Sequence, residues 1–268
     1  MAKKVLVTGV YGLIAGAVYN HFAGQPERYD VYGSARRRAS SDRVAKGTVI
    51  DVPDDRFFLV DMADMAAVQK SFEGMDVVVH LAANPNPNAS WTDILNSNMI
   101  GAYNAFEACK QMGVPRIVYA SSIMATWGYQ QYVEPYKLIR EGRFDEVPKN
   151  FPKVKHTDQP RPTEPYSASK VWGEALARTY ADVHGLSCLC MRIGWVNAQD
   201  APGTLQSGAF WCSQRDIVQL TERCVNAPAH VQFDIFYGLS ECQYRWADID
   251  HAREVLGYVP HDRAEDRL

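Results

Sequence analysis

The sequence predicts an α/β fold, a doubly wound parallel sheet with a small C-terminal substrate-binding lobe. Short apolar runs alternate with longer helical patterns, which is the rhythm of βαβ units. The first apolar run ends in a glycine turn that opens a helix. Runs such as Val77-Val78-Val79 do not alternate with polar residues, as expected of strands buried on both faces. With 268 residues, 47% hydrophobic and 22% charged, the chain can bury a full core.

Strands are expected at residues 5–8, 29–33, 57–60, 76–80, 116–120 and 186–192, with helices at 13–22, 64–72, 93–112 and 165–184. Asp64 suits the N-cap of the second helix. Residues 129–164 differ, being proline-rich and of mixed charge, and read as a long insertion with a short helix around 136–142. After Arg192 the rhythm fades. The expected division is a dinucleotide-type domain over 1–192, carrying the insertion, and a small lobe over 193–268, packed as one globular unit.

A formal net charge of -3 gives no long-range attraction for nucleic acid or anionic membrane, so neither is an expected partner. The start has only a short apolar run and no stretch of about 20 apolar residues follows, so a cytoplasmic protein is expected. The six cysteines show no C-x-x-C spacing, and no metal is expected. Cys188 and Cys190 alternate within a strand and read as small hydrophobes on one face.

The turn Thr8-Gly9-Val10-Tyr11-Gly12-Leu13-Ile14-Ala15 has the order of a dinucleotide-binding loop. Gly9 allows the tight turn, Gly12 lets backbone approach a pyrophosphate, and small Ala15 permits close helix–strand packing. The N–H groups of the helix start, with Tyr11, Leu13 and Ile14, then hold phosphate. That context makes the fold Rossmann-type. At the end of the second strand an NAD site wants a carboxylate, but the chain has Ser34-Ala35-Arg36-Arg37-Arg38. Ser34, Arg36 and Arg37 suit a 2′-phosphate, so NADP is the expected cofactor and NAD the alternative. Read alone, the same residues are a solvated basic turn. Asp61-Met62 falls where a carboxylate reaches the adenine, or simply caps a helix.

Tyr166 and Lys170 stand four apart at a helix start, on one face. A tyrosine of free pKa about 10 needs roughly three units of depression to act as a base near neutrality, which an ammonium and an oxidised nicotinamide can supply. Lys170 can also bond the nicotinamide ribose. Ser121 and Ser122 follow the fifth strand, where a hydroxyl can hold a substrate oxygen, and Asn98 can bind a water that relays protons to the lysine.

In order, Thr8-Gly9-x-x-Gly12, His80-Leu81-Ala82-Ala83, Asn98, Ser121-Ser122 and Tyr166-x-x-x-Lys170 resemble an extended short-chain dehydrogenase/reductase of the NAD-dependent epimerase/dehydratase superfamily. The likeness covers roughly residues 3–260. Trp91-Thr92-Asp93, Asn98-Met99-Ile100-Gly101, Gly173-Glu174 and Met191-Arg192-Ile193-Gly194 are most similar to uronate dehydrogenases. The resemblance implies Tyr166 as general acid/base, with Lys170, Ser122 and Asn98 beside it, and cofactor contacts from Leu81, Ala82, Ala83, Ser121 and Ile193. It also implies hydride transfer from a sugar's anomeric carbon, and a homo-oligomer such as a dimer. Where that family has Asn-His after the serine pair, this chain has Ile123-Met124, and Trp195 replaces a serine. A less acidic, more apolar or bulkier substrate follows from Ile123, Met124 and Trp195. The alternatives are a nucleotide-sugar epimerase/dehydratase that retains its cofactor, and a non-catalytic dinucleotide sensor. An Asp-Glu pair beside the serine, usual in dehydratases, is replaced by Ile123-Met124.

Overall fold

The computed structural model describes residues 1–268. Its centre is a seven-stranded sheet in the order β3-β2-β1-β4-β5-β6-β7. The strands are β1 (Lys3–Thr8), β2 (Tyr29–Ala35), β3 (Phe57–Leu59), β4 (Val77–His80), β5 (Arg116–Ser122), β6 (Ser187–Ile193) and β7 (Phe233–Gly238). Every pairing is parallel. The order reverses between β1 and β4, where open α/β sheets form a crevice at the strands' carboxyl ends.

The helices are α1 (Leu13–Ala23), α2 (Met65–Phe72), α3 (Trp91–Ile94), α4 (Gly101–Met112), α5 (Trp127–Tyr132), α6 (Tyr136–Arg140), α7 (Pro165–His184), α8 (Leu205–Gly208), α9 (Gln214–Val225) and α10 (Asp250–Leu256). They cover both faces, so successive strand residues enter different cores. Val5, Val7, Val79, Leu189 and Met191 share one cluster with Val18, Phe22, Ile217 and Leu220. Leu6, Val78, Ile117, Cys188 and Cys190 share the other with Phe72, Phe106, Ala177 and Tyr180. Cys188 and Cys190 thus point to one face, as their spacing predicts, and all six cysteines are free and buried.

Several elements depart from the sequence reading. β2, β5 and β6 each run further toward the crevice than expected, ending at Ala35, Ser122 and Ile193. The helix expected at 93–112 is α3 and α4 joined by a π-helical turn, Leu95–Ile100. The chain after Arg192 does not leave the sheet: β7 extends it beside β6, and α9 packs beside α1. The β7 sequence Phe-Asp-Ile-Phe-Tyr-Gly hides its period because an edge strand's Phe233, Asp234 and Ile235 are only half-buried. The insertion holds α6, within the expected short helix, and a bridge from Val154 to Ala247 fastens it near β7.

Candidate active site

Two adjoining cavities of about 540 and about 930 Å³ open at the switch point and share Gly9, Gly12, Arg36 and Ala82 in their walls. The smaller is also lined by Tyr11, Ser34, Arg37, Asp61, Met62 and Ala83. The larger takes Leu13, Ile14, Leu81, Ser121, Ser122, Ile123, Met124, Tyr166, Lys170, Ile193 and Trp195. Every site residue expected from the sequence faces this cleft except Asn98.

The glycine loop has the geometry a phosphate seat needs. Gly9 has φ +70°, and a Cβ there would lie 2.9 Å from the Cα of Ala82, so only glycine fits between the β1 and β4 turns. Gly12 caps α1 without a side-chain hydrogen bond. The first N–H groups of the helix therefore stay free for an anion. The close packing expected at Ala15 falls also at Gly16, where a Cβ would meet the Ile50 side chain at 2.3 Å. Thr8 Oγ1 accepts from the N–H groups of Leu81 and Ala82, both at 3.1 Å, tying the two turns together. Its own proton goes to His80 Nδ1 at 3.0 Å. Burial, with Lys170 nearby, pushes His80 down to about 3, so the ring is neutral.

At the end of β2 the hydroxyl of Ser34 is buried and has no hydrogen-bond partner, beside the smaller cavity. Arg38 pairs with Asp54 and stacks on Phe57, whereas Arg36 and Arg37 line the cavity and have no ion pair. Asp30, the acid in β2, sits near the strand's start and pairs with Arg56. Asp61 Oδ1 accepts from the Ala63 N–H at 3.0 Å, a turn contact, and the residue also faces the cavity. The loop, the open helix end and the unpaired guanidinium groups fit a dinucleotide.

Opposite lies the wall that carries Tyr166 and Lys170. Pro165 opens α7 and Glu164 caps it, with Ser167 completing a reciprocal capping box. This fixes the first turn, and so the directions of Tyr166 and Lys170. Lys170 is buried and donates to the Ala120 carbonyl at 2.8 Å. That uses one of three ammonium protons. Burial lowers its pKa to about 8. The Tyr166 phenol stands above its ordinary value because burial outweighs the hydroxyl of Ser122 and the charge of Arg43, which both draw it down. The depression expected from Lys170 is not built into the protein alone, since desolvation of the buried phenol prevails.

Asn98 sits in the π-helical turn, 2% exposed. Its Oδ1 accepts from the Asn84 N–H at 2.7 Å, and its amide donates to the Asn84 carbonyl and to Ser169 Oγ, at 3.1 and 3.4 Å. Both donor protons are thus occupied within the protein, and the side chain holds the loop after β4 rather than reaching the cleft. Ser121 faces the cleft and also donates to buried Glu174, which receives Arg192 through two nitrogens, each at 2.8 Å.

Sequence reading missed Arg43, Trp127, Ser207 and Phe210, which also line the larger cavity. The rings of Trp127 and Phe210 meet edge to face at 5.0 Å, and Trp195 lies 6.2 Å from Phe210. These residues sit on separate loops and short helices, where no periodicity marks them.

Fold, glycine loop and Tyr–Lys wall together fit a dinucleotide-dependent oxidoreductase. Residues 5–203 match the NAD dependent epimerase/dehydratase family, and the chain belongs to it. It is similar to an NAD-dependent glucose-6-phosphate dehydrogenase of Haloferax volcanii, 32% identical across 99% of this chain and 96% of that one. An L-arabinose 1-dehydrogenase (NAD(P)(+)) of the same organism is 33% identical over 77% of this chain and 82% of the relative. The crystal structure of uronate dehydrogenase from Agrobacterium tumefaciens superposes with a TM-score of 0.79, at 28% identity, over 99% of this chain and 86% of that one. No helix is long and apolar enough to cross a membrane.

Proposed function

We propose that the protein oxidises a sugar at its anomeric hydroxyl to a lactone. The observation that carries this is the meeting of Tyr166, Lys170 and Ser122 on one wall of a cleft whose other wall is the open N-terminus of α1. The bound dinucleotide supplies the hydride acceptor. Ser122 orients the substrate hydroxyl and Tyr166 takes its proton. Lys170 holds ribose and contributes the positive charge that favours the phenolate. Asn98 acts as a positioning residue through Asn84 and Ser169, not as a water ligand. Residues 193–268 supply part of the substrate wall through Trp195, Ser207 and Phe210. Trp127, Trp195 and Phe210 suit the apolar face of a sugar ring. Ile123 and Met124 leave little for a second polar group. The dehydrogenase relatives named above act on sugars, which supports this class.

NADP is the favoured cofactor. Arg36 and Arg37 are unpaired, Ser34 Oγ lacks a partner, and no carboxylate ends β2. The named relatives use NAD or either nucleotide, so NAD remains the rival. Titration of intrinsic fluorescence with NADPH and NADH decides between them. Arg36→Ala should weaken NADPH at least about tenfold, the worth of a charge-assisted bond to phosphate, and leave NADH nearly unchanged. Equal losses refute a 2′-phosphate role. A panel of aldoses, aldose phosphates and uronates, followed by reduced-nicotinamide absorbance, tests the reaction. Failure of all three classes overturns sugar oxidation.

The protein is further proposed to work in the cytoplasm as a homo-oligomer. Exposed Tyr103 on α4 and Val183 on α7 support a self-association face, and light scattering after size exclusion tests it.

A further inference from the structure

Three metal-ligating side chains converge away from the cleft. His156 comes from the insertion, Asp234 from β7 and His251 from α10. One donor atom from each lies within 4.8 Å of the other two. His251 Nε2 and Asp234 Oδ1 are 2.8 Å apart. The ring of His156 stacks on that of His251, with centroids 3.7 Å apart and planes 15° apart. His156 Nδ1 is buried and has no hydrogen-bond partner. A buried nitrogen without a partner costs stability unless something takes its lone pair.

The backbone holds these residues close. Val154 N donates to the Trp246 carbonyl at 2.8 Å, and Asp248 N donates to the Val154 carbonyl at 2.9 Å. His156 and His251 each follow this ladder by a few residues, so their approach is built into the fold. Asp234 lies near the start of β7, whereas the wall that carries Tyr166 and Lys170 lies at the strands' carboxyl ends. The trio is therefore remote from the chemistry.

We propose that His156, Asp234 and His251 bind a zinc-like divalent cation that fastens the 129–164 insertion to β7 and α10. Two imidazoles and one carboxylate are donors that zinc prefers, and they leave a fourth tetrahedral position for water. Ligation turns His156 out of the stack about its own side-chain bonds. The chain spacing of the trio gives no hint of this, which is why the sequence reading expects no metal.

The test uses full-length protein stripped with chelator, then titrated with zinc chloride by calorimetry and melted with and without the metal. One zinc per chain is expected. The Tm should rise by about 5 °C or more at a hundredfold excess over Kd. His156→Ala and His251→Gln should each weaken binding at least about tenfold, the scale of losing a metal ligand's contact. His230→Ala, a change at an exposed histidine elsewhere, should leave it unchanged. Cobalt(II) substitution should give the visible bands of a tetrahedral site in the parent and not in His156→Ala. No heat and no Tm change, or binding that survives His156→Ala undiminished, overturns the assignment. His156 is half-exposed, so that variant should fold even if the change at His251 does not.

Discussion

Glu174→Ala strands a guanidinium inside the protein. The side chains of Arg192 and Glu174 are 1% and 5% exposed, and two 2.8 Å hydrogen bonds join them. Ser121 donates to the same carboxylate, and Arg192 Nη1 reaches the Tyr237 hydroxyl at 3.0 Å. Removing the carboxylate leaves a buried charge with one neutral partner, at a cost of about 3–5 kcal/mol. Against a domain stability of about 5–15 kcal/mol, this is a large share. Urea unfolding followed by circular dichroism measures it. The double change Glu174→Met with Arg192→Leu should recover most of the loss, because an apolar pair of similar volume needs no counter-charge. A single variant within about 1 kcal/mol of the parent would show the pair to be solvated, and the argument would fail.

Tyr166→Phe should reduce turnover at least about a hundredfold while dinucleotide affinity stays within about twofold, checked by steady-state kinetics and fluorescence titration. Near-normal turnover would place the proton transfer elsewhere. Gly9→Ala puts a methyl group 2.9 Å from the Ala82 backbone at φ +70°. The left-handed conformation alone costs about 1–2 kcal/mol, so cofactor affinity should fall about tenfold or more. Unchanged affinity would mean that this loop does not seat the phosphates. Lys170 has a folded-state pKa lowered from 10.5 to about 8. The unfolded chain binds that proton more tightly, so stability falls as pH drops from 10.5 to about 8 and levels off below. Lys170→Met removes that slope, roughly 2 kcal/mol between urea melts at about pH 8 and about pH 10. Parallel curves for parent and variant would contradict the buried ammonium.

Much of the cleft was legible because its parts are local. A glycine turn between strand and helix is set by backbone sterics within a few residues, and Tyr166 and Lys170 share a face through helix geometry alone. The carboxyl ends of Ser122 and Ile193 pair in register once both strands are placed in the same parallel sheet. Asn98 shows the limit. Its position in the chain suits a water relay, yet the π-helical turn aims it at Asn84 and Ser169. The fading rhythm after Arg192 misleads for a similar reason, since an edge strand with a half-buried aspartate carries little pattern of its own.

The sequence by itself determined the strand–helix alternation, the two-faced parallel sheet, the glycine turn and the Tyr–Lys pair. Each rests on spacing within one or two turns of chain, where sterics and periodicity act directly. The tertiary structure alone decided that Arg43 lines one cleft with Trp127 and Phe210, whose rings touch, that Glu174 neutralises Arg192 behind Ser121, and that His156 reaches Asp234 and His251. Those contacts join segments many residues apart, and only the packing of both cores against one sheet brings them within bonding distance.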